Sequence, residues 1–389
     1  MIDDDEFCLA LNNGIFVGPI GNLNFCCYNS NLKFINENSN IIEEYNSPET
    51  KSEIDQGWKK SKRCHTCKNR ESLGLYSFRH IANSYTPKDY IVDNNNRKLL
   101  LLDINFSNLC NQKCIMCNSN FSTKWLADDI EITKSPDVEK LRWKNLNPKY
   151  KRLTDLQLNQ ILELVDHHTI KMWIKGGEPF LDDRLIPFIK KIQDRSPTIQ
   201  SEIITNGTMM TDLKINELNL LNPFAITISI DGVGNTYSFI RNFEWNTIDK
   251  NFQNLMEKLD KKHLIGIQIT VSRYNVDKLT DIIEWVESIE LKYDRKVMIN
   301  ITMVNYPNYL QAKYASNKIL KRGLRQIIQI KKDGVLSNRG KYFDSKCDSL
   351  TKLYEDCLKN RPKLEDQKEN DRLANILSMT RSNNFKNLF

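Results

Sequence analysis

Long apolar runs are missing from this sequence: no stretch of 18 or more apolar residues occurs in its 389 positions. A membrane-spanning helix needs about 20 such residues, so none is expected. The first residues, MIDDDEFCLALNNG, are acidic and lack the basic start of a secretory signal. We therefore expect a cytoplasmic protein with no membrane association.

The sequence also lacks a strong excess of either charge sign. Its 56 Lys and Arg residues against 49 Asp and Glu leave a net charge of +7, and the basic residues are dispersed. A solvated, lysine-rich surface explains this balance better than a nucleic-acid interface, so a nucleic-acid partner is not expected. No internal repeat occurs, and 40% hydrophobic residues are typical of a globular chain with a substantial core.

Cysteine is what the sequence does contain, at ten positions. In a chain without an export signal, closely spaced cysteines are more often metal ligands or catalytic groups than disulfide partners. Seven of the ten fall into two groups, one N-terminal and one at residues 110–117. Cys27, Cys347 and Cys357 lie outside these groups, and we interpret the last two as ordinary thiols of a C-terminal helix.

The middle of the chain alternates short apolar segments with amphipathic ones. Strands are predicted at 98–105, 171–175, 201–205, 224–230, 265–271 and 297–303. Helices are predicted near 155–168, 183–194, 211–220, 245–260, 276–291 and 315–332. Near-continuous apolar strands separated by helices predict parallel βαβ units. Six units in series fit an α/β fold, as a partial or full barrel or as a doubly wound sheet.

Three regions are expected from composition. Residues 1–97, rich in Asn, Gly and Cys, predict a small loop-rich module that needs a metal or similar staple. Residues 98–335 hold the βα units, with a polar insertion at 128–152. Residues 336–389 form a charged tail with one helix near 346–359, and about thirty final residues are expected to lack regular structure.

The stretch CNQKCIMC at 110–117 places Cys110, Cys114 and Cys117 close together, with no fourth cysteine nearby. A structural zinc site is closed by four protein ligands. Three thiolates on a four-iron cluster would instead leave one iron open to another molecule. The stretch follows the first predicted strand, and α/β barrels collect their chemistry at the carboxyl ends of strands. The position therefore favours a site with an open iron.

The C-x3-C-x2-C pattern, within LLDINFSNLCNQKCIMC, resembles the first strand and cluster loop of the radical S-adenosylmethionine (SAM) enzymes. The resemblance implies a partial (β/α)6 TIM-like barrel and a [4Fe–4S] cluster on Cys110, Cys114 and Cys117. It also implies that the fourth iron binds SAM, which is reductively cleaved to a 5′-deoxyadenosyl radical that takes hydrogen from a substrate.

Further motifs follow in the order that this family shows. KGGEPFL at 175–181 matches its GGEP motif, while ITNGT at 204–208 and ISIDG at 228–232 resemble its SAM-contacting loops. Arg241 resembles an arginine that pairs with the SAM carboxylate, and a planar guanidinium suits that role. Met116 stands where the family often has an aromatic residue that packs on adenine. The SAM contacts implied by the resemblance are Met116, Gly176, Gly177, Glu178, Pro179, Thr205, Asn206, Ser229 and Arg241.

The N-terminal cysteines form the second group. By spacing alone, four thiolates on a small module predict a closed zinc site. The wider pattern, C-x12-G-x4-C through Gly21 followed by CHTCKNRESLGLYSFR, resembles the SPASM and twitch modules, which bind an auxiliary [4Fe–4S] cluster. The implied ligands are Cys8, Cys26, Cys64 and Cys67, and spacing leaves Cys27 open as a rival to Cys26. Such modules more commonly follow the barrel than precede it.

These resemblances imply a radical SAM oxidoreductase with two [4Fe–4S] clusters and SAM as cofactors. The auxiliary cluster is expected to transfer electrons or shape the substrate cavity. The substrate, a small molecule or a peptide, is not specified by any motif, and neither is a general base. An external electron donor such as a flavodoxin or ferredoxin is implied. The alternatives are a zinc-containing nucleic-acid-binding protein and an electron-transfer protein that only stores clusters.

Overall fold

The computed structural model describes residues 6–28, 33–72, 76–91, 93, 96–134, 146, 148–332 and 341–380, with the backbone alone at 341–346 and 378–380. In these residues the strands are numbered β1 to β9 in chain order. They are Gly14–Val17, Asn22–Asn24, Lys33–Phe34, Leu101–Ile104, Lys171–Ile174, Gln200–Thr205, Phe224–Ser229, Leu264–Val271 and Val297–Met303.

The α-helices of the described residues surround these strands in sequence. They are Leu9–Asn13, Ile41–Tyr45, Pro48–Lys60, His65–Ser72, Phe78–Asn83, Leu126–Ile132, Asp155–Leu164, Leu185–Arg195, Asp212–Asn219, Asn235–Arg241, Trp245–Lys258, Leu279–Tyr293, Asn317–Lys332, Lys341–Lys359 and Leu364–Thr380. None of them combines the length and the apolar character that crossing a bilayer requires.

The chain divides into two compact units. The first unit comprises Met1–Leu109, Tyr150–Ile204 and Glu217–Ala225, and the second comprises Cys110–Lys149, Thr205–Asn216 and Ile226–Phe389. The division predicted from composition, at residues 97 and 335, does not follow these units, and as a division of function it stays a prediction.

The first unit contains a sheet with the strand order β3-β2-β1-β4-β5-β6. β1, β4, β5 and β6 run parallel, while β2 and β3 are antiparallel additions at one side. All four residues of β4 and all four of β5 are buried. These strands are apolar nearly throughout because a parallel sheet is covered on both faces.

The N-terminal residues hold more regular structure than the loop-rich expectation. β1 extends the same sheet by pairing with β4, from Gly14 opposite Leu101 to Val17 opposite Ile104. Asn40 and Ser47 cap the helices that follow them by accepting backbone N–H bonds. Most of the other elements are two to eight residues long, too short to show a clear period in the sequence.

An apolar cluster attaches this N-terminal segment to the sheet of the first unit. Leu9, Trp58, Leu101 and Trp173 are among its buried members. The helices Leu9–Asn13 and Pro48–Lys60 therefore pack against β4 and β5. By the usual rate of about 25 cal/mol per Å² of apolar surface removed from water, such burial is a main source of stability here.

β7, β8 and β9 are neighbours in that order, and β8 and β9 lie wholly in the second unit. β8 and β9 pair in parallel register, from Ile265 opposite Val297 to Val271 opposite Met303. Along the whole chain each strand from β4 to β9 is followed by a helix, as the sequence predicted. The predicted α/β class is confirmed: β4, β5 and β6 pair in parallel, as do β8 and β9.

Two sequence predictions for the second unit need correction. The insertion expected from residue 128 begins inside the helix Leu126–Ile132, and residues 135–145 and 147 lie outside the described residues. The last thirty residues were expected to lack regular structure, yet Leu364–Thr380 form a helix. Leu373, Ala374 and Leu377 of this helix are buried in an apolar cluster with Trp125 and Tyr309. Tertiary packing thus orders a segment whose charged composition suggested a tail.

Candidate active site

The cysteine loop, residues 110–117, is held in the second unit by two hydrogen bonds from outside and one within the loop. Ile115 donates its N–H to the carbonyl of Ile240 at 2.8 Å, and the Trp125 indole donates to the carbonyl of Cys114 at 3.0 Å. Cys117 donates its N–H to the Cys114 carbonyl at 3.0 Å. Cys110 and Cys114 are buried and Cys117 is half-buried. The loop therefore fixes three thiols with little access for bulk water.

Nitrogen donors approach the sulfur atoms of this loop. The Gln112 N–H lies 3.5 Å from Cys110 Sγ, and Asn206 Nδ2 lies 3.8 Å from the same sulfur. Arg241 Nη1 lies 3.8 Å from Cys114 Sγ. Donors around thiolates stabilise their negative charge and tune the metal that they bind. The surroundings thus fit a cluster held by thiolates.

The thiols of the cysteine loop influence one another. A hydrogen bond with Cys114 and burial raise the pKa of Cys117 well above its usual value, with Cys110 adding repulsion and Arg241 opposing it. A bound metal ion offsets this rise in the pKa of Cys117 because it binds the deprotonated thiolate directly.

The residues at the end of β6 and just after it lie beside the cysteine loop. Asn206 donates to Asn111 Oδ1 at 2.8 Å in addition to its contact with Cys110. Thr205 Oγ1 accepts the Gly207 N–H at 3.1 Å and is buried. Met116 is half-buried against the apolar cluster of Trp125. Ser229, at the end of β7, is half-buried. All four belong to the second unit, and their contact with SAM stays a prediction.

Arg241 has a partner that the sequence reasoning missed. Its Nε lies 2.6 Å from Asp231 Oδ2, and both side chains are buried. Thr270 donates its N–H to Asp231 Oδ1 at 2.6 Å. Burial raises the pKa of Asp231, while Arg241 and the Thr270 N–H oppose that change. Asp231 is the aspartate of ISIDG, and only the pairing of β7 with β8 reveals its role.

The GGEP motif forms a tight turn in the first unit. Gly176 and Gly177 have φ of +78° and +54°, and an added Cβ would lie 1.7 Å from Asn105 Oδ1 and 2.4 Å from the Leu109 carbonyl oxygen, respectively. Only glycine combines this backbone conformation with such close approach. The Glu178 N–H then donates to the Leu109 carbonyl at 2.7 Å. The turn thus packs on the segment that leads to the cysteine loop.

Glu178 and Pro179 complete this turn. Glu178 is buried, and its Oε1 accepts the Phe180 N–H at 3.1 Å. Pro179 is the first residue of a short 3₁₀ turn, Pro179–Leu181, where its fixed φ is favourable. Both residues have structural contacts in the turn, and their role toward SAM stays a prediction.

The N-terminal thiols meet in one pocket of the first unit. Cys8, Cys26, Cys64 and Cys67 line it. Burial, with repulsion from Cys64 and Cys67, raises the pKa of Cys8 to about 12. Burial and repulsion from Cys27 and Cys8 also raise the pKa of Cys26. Apolar side chains close the pocket around the sulfurs, among them Trp58 and Phe78.

Cys27 lies apart from this pocket lining. Burial raises its pKa to about 12, and its charged neighbours are Lys175 and Asp103 rather than Cys64 or Cys67. Lys175 Nζ lies 2.7 Å from Asp103 Oδ2. Cys26 and Cys27 lie in the bend and turn that follow β2, and the ligand role of Cys26 rather than Cys27 stays a prediction. The remaining cysteines, Cys347 and Cys357, are buried on the helix Lys341–Lys359.

Comparison with known proteins gives a family model and several relatives that match part of this chain. Residues 104–304, more than half of the chain, match the family model described as the Radical SAM superfamily. The GTP 3',8-cyclase of Parasynechococcus marenigrum (strain WH8102) is 27% identical over 156 residues, which cover 38% of this chain and 38% of that protein. The GTP 3',8-cyclase of Sulfurimonas denitrificans is 23% identical over 238 residues, which cover 59% of this chain and 61% of that protein.

Two solved structures are also similar to part of this chain. Native anSMEcpe with bound AdoMet superposes with a TM-score of 0.43 at 16% identity, over 63% of this chain and 64% of that one. Streptococcus suis SuiB bound to S-adenosylmethionine superposes with a TM-score of 0.41 at 14% identity, over 84% of this chain and 70% of that one.

Proposed function

The chain belongs to the radical SAM superfamily, and from this premise we propose that it is a two-cluster radical SAM oxidoreductase. The family implies SAM and one [4Fe–4S] cluster. The observation that carries the proposal is the pair of separate thiol groups: three thiols in the cysteine loop, and four around the pocket of Cys8, Cys26, Cys64 and Cys67.

Cys110, Cys114 and Cys117 would hold the first cluster, which with SAM supplies a 5′-deoxyadenosyl radical for hydrogen abstraction. Asn206 and Gln112 donate to the Cys110 thiolate, and the buried loop excludes water around it. The residues proposed to bind SAM are those implied by the resemblance. They are Met116, Gly176, Gly177, Glu178, Pro179, Thr205, Asn206, Ser229 and Arg241.

Cys8, Cys26, Cys64 and Cys67 would hold the second, auxiliary cluster. With all four irons bound by cysteine, this cluster has no open position for a substrate. Electron transfer suits it, because a substrate radical that loses a second electron completes a two-electron oxidation. The apolar lining of the pocket, including Trp58, Phe25 and Phe78, restricts solvent and so helps to set the potential.

The substrate class stays open between a small molecule and a peptide. The GTP 3',8-cyclases carry no substrate over to this chain, because it spans only 38% and 61% of their lengths. We propose in addition a flavodoxin- or ferredoxin-like donor, since the reductive cleavage of SAM consumes an electron. The cytoplasmic location also stays a prediction.

The zinc-containing nucleic-acid-binding alternative is disfavoured because it would leave the tight GGEP turn and the contact of Asn206 with Cys110 without a purpose.

The experiment that tests the proposal is anaerobic reconstitution of the full chain with iron and sulfide. We expect about eight irons per chain, as two four-iron clusters require. After chemical reduction the protein should convert SAM to 5′-deoxyadenosine, measured by liquid chromatography. The triple variant Cys110→Ala, Cys114→Ala, Cys117→Ala should lose this activity and about half of the iron.

The matched control is Cys357→Ala, which removes a buried thiol outside both groups and should keep both the iron content and the activity. A purified protein that holds only zinc, or a triple variant that still produces 5′-deoxyadenosine, would contradict the proposal.

A further inference from the structure

The buried pair of Arg241 and Asp231 lies against one sulfur of the cysteine loop. Arg241 Nη1 is 3.8 Å from Cys114 Sγ, and the carbonyl of Arg241 accepts from the same sulfur at 3.8 Å. Asp231 Oδ2 is 2.6 Å from Arg241 Nε. One residue therefore presents a cationic donor to Cys114 while its charge is balanced from the other side.

The local structure gives this arrangement little freedom. Arg241 is the last residue of the helix Asn235–Arg241, and the preceding Ile240 carbonyl accepts the N–H of Ile115 in the cysteine loop. Asp231 is fully buried and is fixed by the N–H of Thr270 at 2.6 Å. Asn275 donates to the carbonyl of Asp231 at 2.8 Å. The contacts of Ile240 and of Asp231 thus fix the Arg241 guanidinium relative to Cys114.

A fixed cation close to a cluster sulfur has a definite electrostatic effect. Reduction adds one negative charge to the cluster, and a nearby positive charge or N–H donor stabilises the reduced form more than the oxidised form. Such a donor raises the reduction potential, and in a buried setting the effect is weakly screened. Asp231 opposes the rise in reduction potential, because its negative carboxylate lies on the far side of the same guanidinium.

We propose that the Arg241–Asp231 pair sets the reduction potential of the cluster on Cys110, Cys114 and Cys117, with Arg241 raising it through Cys114 and Asp231 moderating that rise. This inference rests on the proposed function. It gives Arg241 a second role beside the contact with the SAM carboxylate that the family resemblance implies, and it gives Asp231 a positioning role.

The test is an electron paramagnetic resonance redox titration of the reconstituted full chain without SAM. The signal of the open-iron cluster is identified beforehand as the one that changes when SAM is added. Asp231→Asn keeps the shape of the side chain and removes its charge, so the potential should rise. The double variant Arg241→Met, Asp231→Leu removes both the cation and the donor to Cys114, so the potential should fall.

The double variant guards against a folding failure. Removing one partner of a buried pair is strongly destabilising, whereas replacing both with apolar residues of similar size is often neutral. The control is Asp371→Asn, which breaks another ion pair of the second unit, Arg273–Asp371 at 2.5 Å, and should leave the potential unchanged. SAM affinity is measured on the same samples from the signal change.

Opposite shifts in the two variants support the inference. Unchanged potentials, or shifts of the same sign, overturn it, and a loss of SAM affinity at unchanged potential would assign Arg241 to SAM alone. If the wild-type chain forms no cluster with a SAM-responsive signal, the proposed function fails and the inference fails with it. The two failures are therefore distinguishable.

Discussion

Single residues define the chemistry of both thiol groups, and the sequence identified most of them because their types are rare and their spacing is tight. Cysteine triplets and glycine pairs are such signals. Asp231, Asp103 and Lys175 were not identified, because a charged residue at a strand end usually indicates solvent exposure. Asp231 and Asp103 are buried, each in an ion pair, the first with Arg241 of a helix and the second with Lys175 at the end of β5. Neither ion pair is visible in one sequence without its fold.

Gly177 allows the sharpest prediction at this scale. Gly177→Ala adds a Cβ at 2.4 Å from the Leu109 carbonyl oxygen, on a backbone with φ of +54°. Gly234→Ala is the matched control, since its φ is +58° and nothing lies within 4 Å of the added carbon. Both variants place an alanine at a positive φ, which costs about 1–3 kcal/mol. Gly177→Ala carries the backbone clash as well.

We therefore expect Gly177→Ala to be less stable than Gly234→Ala by about 1–3 kcal/mol, measured by urea unfolding of both variants. Equal unfolding midpoints for the two variants would show that the GGEP turn tolerates a side chain and that its glycines are not required by packing.

At the scale of elements, the six long βα repeats were predictable and the short N-terminal elements were not. β8 and its following helix Leu279–Tyr293 have enough residues for apolar runs and helical spacing to emerge. β2 and β3, with three and two residues, do not. Their structure comes from pairing within the sheet, which is a long-range contact that local pattern does not encode.

The helix Leu364–Thr380 is where tertiary contacts overrode composition, and Leu377 tests that explanation. Leu377 is fully buried with Trp125 and Tyr309, whereas Leu364 on the same helix is 70% exposed. Leu377→Ala should lower the free energy of unfolding by about 2–4 kcal/mol, and Leu364→Ala by much less. Limited proteolysis should cut the Leu377→Ala variant near this helix first.

Comparable stability and proteolysis of Leu377→Ala and Leu364→Ala would mean that the helix does not pack on the second unit in solution. The sequence expectation of an irregular tail would then stand. This comparison separates the contribution of packing from helix propensity, because both substitutions replace leucine with the better helix former.

At the scale of the whole molecule, the chain's two compact units are each built from separated segments. Within residues 1–225, the first unit leaves out residues 110–149 and 205–216, which belong to the second unit instead. Composition changes along a chain reveal only contiguous regions, so this division was not predictable. Each thiol group nevertheless lies within a single unit. The cysteine loop belongs to the second unit, and the pocket of Cys8, Cys26, Cys64 and Cys67 belongs to the first.

This separation predicts that the two clusters can be removed independently. Cys26→Ala should lose about four irons per chain, because it removes one of the four thiols that line the pocket. The neighbouring variant Cys27→Ala should keep these irons. Both variants should still cleave SAM to 5′-deoxyadenosine after chemical reduction, since neither alters the cysteine loop. Cys114→Ala should lose that cleavage and keep the auxiliary iron.

The measurements are iron and sulfide counts together with chromatography of the SAM products. Iron loss in Cys27→Ala with retention in Cys26→Ala would exchange the two ligands, and loss of SAM cleavage in Cys26→Ala would show that the two clusters depend on each other.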